Sequence, residues 1–186
     1  IPPMEQLPAG LRTQIETVYR NSIGDISMEG FFDLLALHEL GHAFHLQGGL
    51  EIQRKWMGEL FCNILLHTYI AEEEPEQLPA LTVFPRMVIS AGTKEFTYTS
   101  LKDVEEHYEE IGKMHAKNYG WYQCRWHAAA GDIYDAAGKE LVTTLWKALK
   151  QQREKLNDAE LLSFLDTSVH PSIADMIRNW DKAIVQ

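Results

Sequence analysis

The chain has 186 residues, 45% of them hydrophobic and 24% charged, which is typical of a globular domain that can bury a core. Its formal net charge of −10 argues against binding to a nucleic-acid backbone, which requires clustered lysine and arginine. No apolar run approaches the roughly 20 residues needed to span a bilayer, so no transmembrane segment is predicted. Since neither a repeat nor a low-complexity linker divides the chain, we predict a single domain over residues 1–186.

Two features bear on the compartment in which the protein works. The chain begins Ile1-Pro2-Pro3 without a methionine, so we expect that an upstream segment was removed and that this is the C-terminal part of a longer chain. An export signal is one candidate for that segment, which favours a secreted or periplasmic location over a cytoplasmic one. Cys62 and Cys124 fall in apolar helical segments and are predicted to be buried free thiols.

The spacing of apolar residues is helical along most of the chain, which predicts a mainly α fold with little or no β-sheet. In chain order, we predict helices near residues 11–18, 27–47, 51–71, 100–111, 121–137, 140–156, 158–165 and 171–184. Glycines after residues 47 and 137 give C-terminal stops, and Ser100 with Asp103 forms an N-terminal capping box. Residues 72–99 contain three prolines and are expected to be irregular, with a short strand or an extended loop at 96–99.

Residues 38–42 read His-Glu-Leu-Gly-His, an HExxH motif in the second predicted helix. Because positions i and i+4 lie on one face of a helix, His38 and His42 can bind a single Zn²⁺ ion. Glu39 is rotated by about 100° from His38, so it lies beside the ion. It can then act as general base toward a water whose pKa the metal lowers to about 7. Uncharged flanking residues indicate a buried helix, in which these polar groups would be costly without partners.

The third metal ligand is expected on the next helix. Glu59 lies 17 residues after His42. At 1.5 Å per residue, the two lie about 12 and 9 Å from the turn between the helices, so their depths match in an antiparallel pair. Asn63 follows on the face of Glu59 and would hydrogen-bond a ligand imidazole. Gly41 costs a helix interior about 1 kcal/mol relative to alanine, so we expect another element to approach it closely.

The motif at 38–42, followed by Glu59-Leu-Phe-Cys-Asn63, resembles the gluzincin branch of the zincin metallopeptidases over about residues 28–66. The resemblance implies Zn²⁺ bound by His38, His42 and Glu59, and a peptide or protein as substrate. It also implies Glu39 as the general base and Asn63 as the orienting residue. The sequence departs from the branch in three ways: the interval from His42 to Glu59 is a residue or two shorter, Asn63 stands where aspartate is usual, and the residues before the active helix look helical.

The resemblance further implies a hydrogen-bond donor for the transition state on a late helix. Small peptidase-like zincins have a tyrosine near the start of that helix, facing the metal. Here the helix predicted at 121–137 begins close to two tyrosines and contains a histidine. A phenol or imidazole at this place would stabilise the oxyanion of a tetrahedral intermediate. Tyr122 is the first candidate, followed by Tyr119 and then His127.

The residues alone leave other interpretations open. The motif can arise by chance in a buried helix, and Glu59 can be an ordinary solvated glutamate. Glu51 is a rival third ligand but lies too close to the turn, and His45 is expected to be a core or rim histidine. The metzincin pattern is excluded, because the position six residues after His42 is Gly48.

These features together predict a zinc-dependent peptidase with a metal-activated water and a glutamate base. One alternative is a catalytically inactive zincin-like module that binds a partner and keeps zinc for stability. Another is a di-iron carboxylate bundle, but that arrangement requires two ExxH units and the sequence has one.

Overall fold

The structure, a computed structural model, is helical along most of its length and describes residues 3–182. Its elements in chain order are α1 (Ala9–Tyr19), α2 (Glu29–Gln47), α3 (Lys55–Glu73), α4 (Leu78–Ser90), α5 (Leu101–Met114), α6 (Ala116–Ala137), α7 (Glu140–Gln151), α8 (Asp158–Ser168) and α9 (Pro171–Asn179). Short 3-10 turns at Met4–Gln6 and Pro75–Gln77 precede α1 and α4. Between residues 3 and 182 the β contacts amount to one isolated bridge, Arg20 with Ile26. The predicted mainly α fold is therefore confirmed.

Helices α3 and α6 lie at the centre of the molecule and contact each other along their length. Helix α3 is apolar on nearly every side, as expected for a helix surrounded by other elements. Around α3 and α6, helices α5, α7, α8 and α9 enclose a main core cluster that includes Trp56, Trp126 and Leu149. Helices α1, α2 and α4 enclose an N-terminal core cluster that includes Ile15 and Met87. Helix α2 thus lies at the edge of the molecule, against α3 and α4.

Helix α4 lies in the segment that was expected to be irregular because of its prolines. Pro79 sits in the first helical turn, where its missing N–H costs nothing. Pro85 is inside the helix and removes one backbone hydrogen bond there, a change that usually breaks a helix. Burial of Leu81, Phe84 and Met87 against the N-terminal core cluster outweighs this loss. The expectation of an irregular segment is wrong here, whereas residues 96–99 do form a loop without a strand.

Several helix limits differ from those predicted. Helix α3 begins at Lys55, so Glu51 precedes it, and α6 begins five residues before the predicted start at 121. Helix α7 ends at Gln151 and α9 at Asn179, and residues 183–184 of the predicted last helix lie outside the described residues. The capping box of Ser100 and Asp103 is formed as predicted. None of the helices within 3–182 combines the length and the apolar character needed to cross a membrane.

The contact between α2 and α3 is closest at Gly41. A Cβ atom at this position would lie 3.2 Å from both Cβ and Sγ of Cys62. The close approach predicted from this glycine is therefore confirmed. The opposite face of α2 was expected to be buried, and this is wrong: the side chains of Leu40 and Phe44 are 45% and 47% exposed. Only the face with His38 and Gly41 is turned into the molecule.

Candidate metal centre

The packing of α2 against α3 brings His38, His42 and Glu59 together. His38 Nε2 lies 3.2 Å from His42 Nε2 and 3.2 Å from Glu59 Oε2. The remaining distance, from His42 Nε2 to Glu59 Oε2, is 3.6 Å. Donor atoms bound at 2.0–2.2 Å to one tetrahedral Zn²⁺ are roughly 3.3–3.6 Å apart. The three atoms therefore have the mutual spacing that one tetrahedral ion requires, and they form a group that could hold a metal.

The charges of these residues also fit a cation. The two imidazole nitrogens and the carboxylate oxygen lie within 3.6 Å of one another, and one metal ion could accept a lone pair from each. Without a metal, a proton has to be shared between them. The pKa of His42 is accordingly raised above its usual value, mainly by the hydrogen bond with Glu59 and against the effect of burial. His38 is 4% exposed, and its Nδ1 atom has no hydrogen-bond partner within the described part of the chain.

Glu59 is a buried carboxylate held by side chains from two further helices. Tyr108 of α5 donates a hydrogen bond to Oε1, and the Tyr119 hydroxyl of α6 lies 3.4 Å from the same oxygen. Gln123 Nε2 donates to Oε2 at 2.7 Å and to the Tyr119 hydroxyl at 2.9 Å. Burial alone would raise the pKa of Glu59, but these hydrogen bonds and those from the two imidazoles outweigh it. The pKa therefore lies well below its ordinary value, and the carboxylate is charged.

The second ring nitrogen of His42 faces another histidine. His42 Nδ1 lies 3.2 Å from His45 Nε2, and His45 is 7% exposed. If His42 binds a metal through Nε2, its Nδ1 carries the hydrogen and donates it to His45, which fixes the tautomer of the ligand ring. Burial and the neighbouring His42 lower the pKa of His45, which suits it to accept this hydrogen bond. His42, His45 and Cys62 form a second group of close donor atoms.

Asn63 does not make the expected contact with a ligand imidazole. Its Nδ2 atom donates to the backbone oxygen of Glu59 at 2.9 Å, one turn earlier in α3. Its Oδ1 atom is buried and has no hydrogen-bond partner within residues 3–182. Asn63 therefore stabilises the α3 backbone beside Glu59, and the predicted orienting role belongs to His45 for His42.

Tyr122 is not near the three converging side chains, so its prediction as the oxyanion donor is wrong. It is completely buried, and its hydroxyl donates to the backbone oxygen of Ser100 at 2.9 Å. Its ring stacks against Trp126 and Trp180 in the main core cluster. A hydroxyl that is enclosed in this way cannot reach a substrate. Tyr119, the second candidate, lies beside Glu59 instead.

Tyr108 and Gln123 were not found from the sequence. Tyr108 directly follows a kink in α5 at His107, where φ is −119° and ψ is 20°. A weak signal existed, since Tyr108 shares the face of the buried residues Val104 and Ile111. Gln123 lies one helical turn after Tyr119. The predicted helix began at residue 121, so Tyr119 lay outside it and the two residues were not expected to share a helix face.

Of the three converging residues, His38 lines a cavity with a volume of about 730 Å³. Glu39 is exposed and lines the same cavity. Tyr119, Gln123 and His127 line it from α6. His127 is 4% exposed, and burial, followed by repulsion from His38 and His67, lowers its pKa to about 3. Its ring is therefore neutral at physiological pH.

Comparison of the chain with protein-family models, with curated proteins and with solved structures finds no match.

Proposed function

We propose that the protein is a zinc-dependent peptidase in which His38, His42 and Glu59 hold the metal. The observation that carries this proposal is the convergence of the three donor atoms, 3.2–3.6 Å apart, beside a large cavity that is lined by His38 and Glu39. A structural zinc site is usually closed by four protein ligands, whereas a catalytic site has three and an open position. The described residues offer three donor atoms at this point, and His42 retains 28% exposure of its side chain toward solvent.

A zinc ion in this position would polarise a peptide carbonyl and make a water molecule acidic. Glu39 takes a proton from the attacking water and delivers it to the amine nitrogen as the peptide bond breaks. Tyr119 lines the cavity, and its hydroxyl, which lies 3.4 Å from Glu59 Oε1, would have to turn from that oxygen to donate a hydrogen bond to the carbonyl oxygen as negative charge develops. Tyr108 and Gln123 hold the carboxylate of Glu59 in one orientation throughout.

The resemblance to gluzincins supports the same assignment from a separate direction. It implied zinc on residues 38, 42 and 59, and these are the side chains that converge. It also implied a tyrosine on a late helix beside the metal, a role for which Tyr119 is now the candidate. Position 63 is an asparagine where gluzincins usually have an aspartate that orients a ligand histidine. That role is not needed at position 63 here, because His45 contacts the second ring nitrogen of His42.

The decisive experiment is the conservative variant Glu39→Gln. Zinc-loaded wild-type protein is expected to cleave members of a quenched fluorescent peptide library, and the variant is expected to lose about 10²- to 10⁴-fold in rate while binding one zinc. Glu29→Gln, an exposed substitution in the same helix, is the matched control and should cleave like the wild type.

Three results would contradict the proposal. Failure of the wild type to cleave any library member while it binds one zinc would favour an inactive module with a structural metal. Two irons per chain in metal analysis would favour a di-iron centre. Full activity of Glu39→Gln would remove Glu39 from the mechanism.

A further inference from the structure

The large cavity contains a buried polar group that the proposed mechanism does not use. His127 lines the cavity and is 4% exposed. Neither of its ring nitrogens takes part in a side-chain hydrogen bond among residues 3–182, and neither is fully enclosed, so a molecule in the cavity can reach them. A neutral imidazole at this point therefore offers one donor and one acceptor to a molecule that enters the cavity.

The walls around His127 are aromatic. The ring of Phe31 meets the imidazole edge-on, with ring centroids 5.3 Å apart. Phe84 lies 4.6 Å from Phe31 between ring centroids, and Phe32 lies 5.7 Å from Phe84. Leu35 and Val88 complete the apolar surface. Aromatic rings favour such edge-to-face and offset arrangements, so the enclosed space suits a further planar ring.

The position of His127 relates this space to the proposed reaction. The ring centroids of His38 and His127 are 6.3 Å apart. Tyr119, Gln123 and His127 follow at intervals of four residues along one face of α6, and all three line the same cavity. The residue proposed to hold the metal and the aromatic part of the cavity are therefore about one side-chain length apart.

We propose that this cavity is a tyrosine pocket: it takes the side chain of a tyrosine flanking the scissile bond, whose phenol hydroxyl hydrogen-bonds His127. This inference rests on the proposed function. A phenol is both a donor and an acceptor, and its ring packs against the wall that the mutually contacting rings of Phe31, Phe32 and Phe84 form. Phenylalanine fills the same space but leaves His127 unpaired.

The test uses two peptides that differ only in tyrosine or phenylalanine next to the cleaved bond. The wild type is expected to favour the tyrosine peptide by about tenfold or more in kcat/KM. In His127→Phe the ratio is expected to fall to within about twofold of one, because the aromatic wall remains and the hydrogen bond is lost. The matched control is Phe32→Ala, a half-exposed wall residue, which should weaken both peptides equally and preserve the ratio.

Binding of the same peptides to Glu39→Gln, which does not turn over, separates this inference from the proposed function. A tyrosine preference in binding without hydrolysis in the wild type would support the pocket and contradict the peptidase. Hydrolysis with equal kcat/KM for the two peptides would contradict the pocket and leave the peptidase intact. If His127→Phe does not fold, the wild-type ratio still decides, since a ratio of one overturns the inference.

Discussion

Removing the hydroxyl of Tyr108 tests whether the hydrogen bonds around Glu59 serve metal binding. Tyr108→Phe takes away the donor to Glu59 Oε1 and leaves the ring in place. A hydrogen bond to a charged group contributes about 1.5–3 kcal/mol, which is about 10- to 150-fold in an equilibrium constant. Tyr119 lies 3.4 Å from the same oxygen and can replace part of the loss. We therefore expect zinc affinity to fall by about tenfold, the lower end of the range for partners of metal ligands.

The assay is competition for zinc between the protein and a chromophoric chelator, repeated over a series of pH values. Because the remaining hydrogen bonds keep the pKa of Glu59 well below its ordinary value, the loss of zinc affinity should be the same at every pH in the series. Tyr98→Phe is the matched control, since the Tyr98 hydroxyl donates at 3.0 Å to Glu110, an exposed carboxylate, and its loss should change nothing. Equal zinc affinity of Tyr108→Phe and wild type, with both proteins folded, would refute this reasoning.

Three further predictions address packing and charge. Gly41→Ala should lower the free energy of unfolding in a urea titration. The new methyl group crowds Cys62, which costs about 1–3 kcal/mol, whereas the better helix propensity of alanine returns only about 1 kcal/mol. Gly112→Ala, which has open space around it, should raise the free energy of unfolding in the same titration. Tyr122→Phe should lower the free energy of unfolding by about 1 kcal/mol and leave zinc affinity and peptide cleavage unchanged. A variant that lost cleavage but kept its stability would show that Tyr122 takes part in the reaction. The raised pKa of His42 stabilises the metal-free protein below the unfolded value of 6.5, and this stabilisation is lost as the pH rises through the folded pKa. The difference in unfolding free energy between metal-free wild type and His42→Asn, from urea titrations at several pH values, should decrease in this way; a difference that is independent of pH would contradict the assignment.

The sequence was sufficient for those parts of the site that depend on spacing within one helix or across one short connection. His38 and His42 share a face because of helix periodicity, and Glu59 was placed with them because it lies early in the next helix. The predicted depth of Glu59 was too large, since α3 begins at Lys55 and the connection covers residues 48–54. Gly41 correctly indicated where the two helices touch. Each of these inferences concerns residues at most 21 positions apart in the chain.

The rest of the site depends on contacts between residues that are distant in the chain, and the local spacing of residues does not predict such contacts. Tyr108 meets Glu59 from 49 residues away, through a kinked helix whose surface is strongly acidic. Tyr119 and Tyr122 both lie inside α6, and contacts with distant segments decide their roles: Tyr119 meets Glu59, 60 residues away, and Tyr122 meets Ser100, 22 residues away. Helix α4 was not predicted because Pro85 has a strong propensity against helix. In the structure, burial of the helix in the N-terminal core cluster outweighs that local propensity.

The sulfur atom of Cys62 lies at the contact between α2 and α3, beside Gly41, so its accessibility reports whether these two helices are packed together. Cys62 is 0% exposed, and burial, together with the nearby Glu59 and Glu39, raises its pKa far above the usual thiol range. A thiol reagent can modify it only in molecules whose two helices have separated, so its labelling rate measures the frequency of that local opening. An ion that is bound by residues of both helices has to lower the labelling rate of Cys62, and this rate can be measured without any substrate.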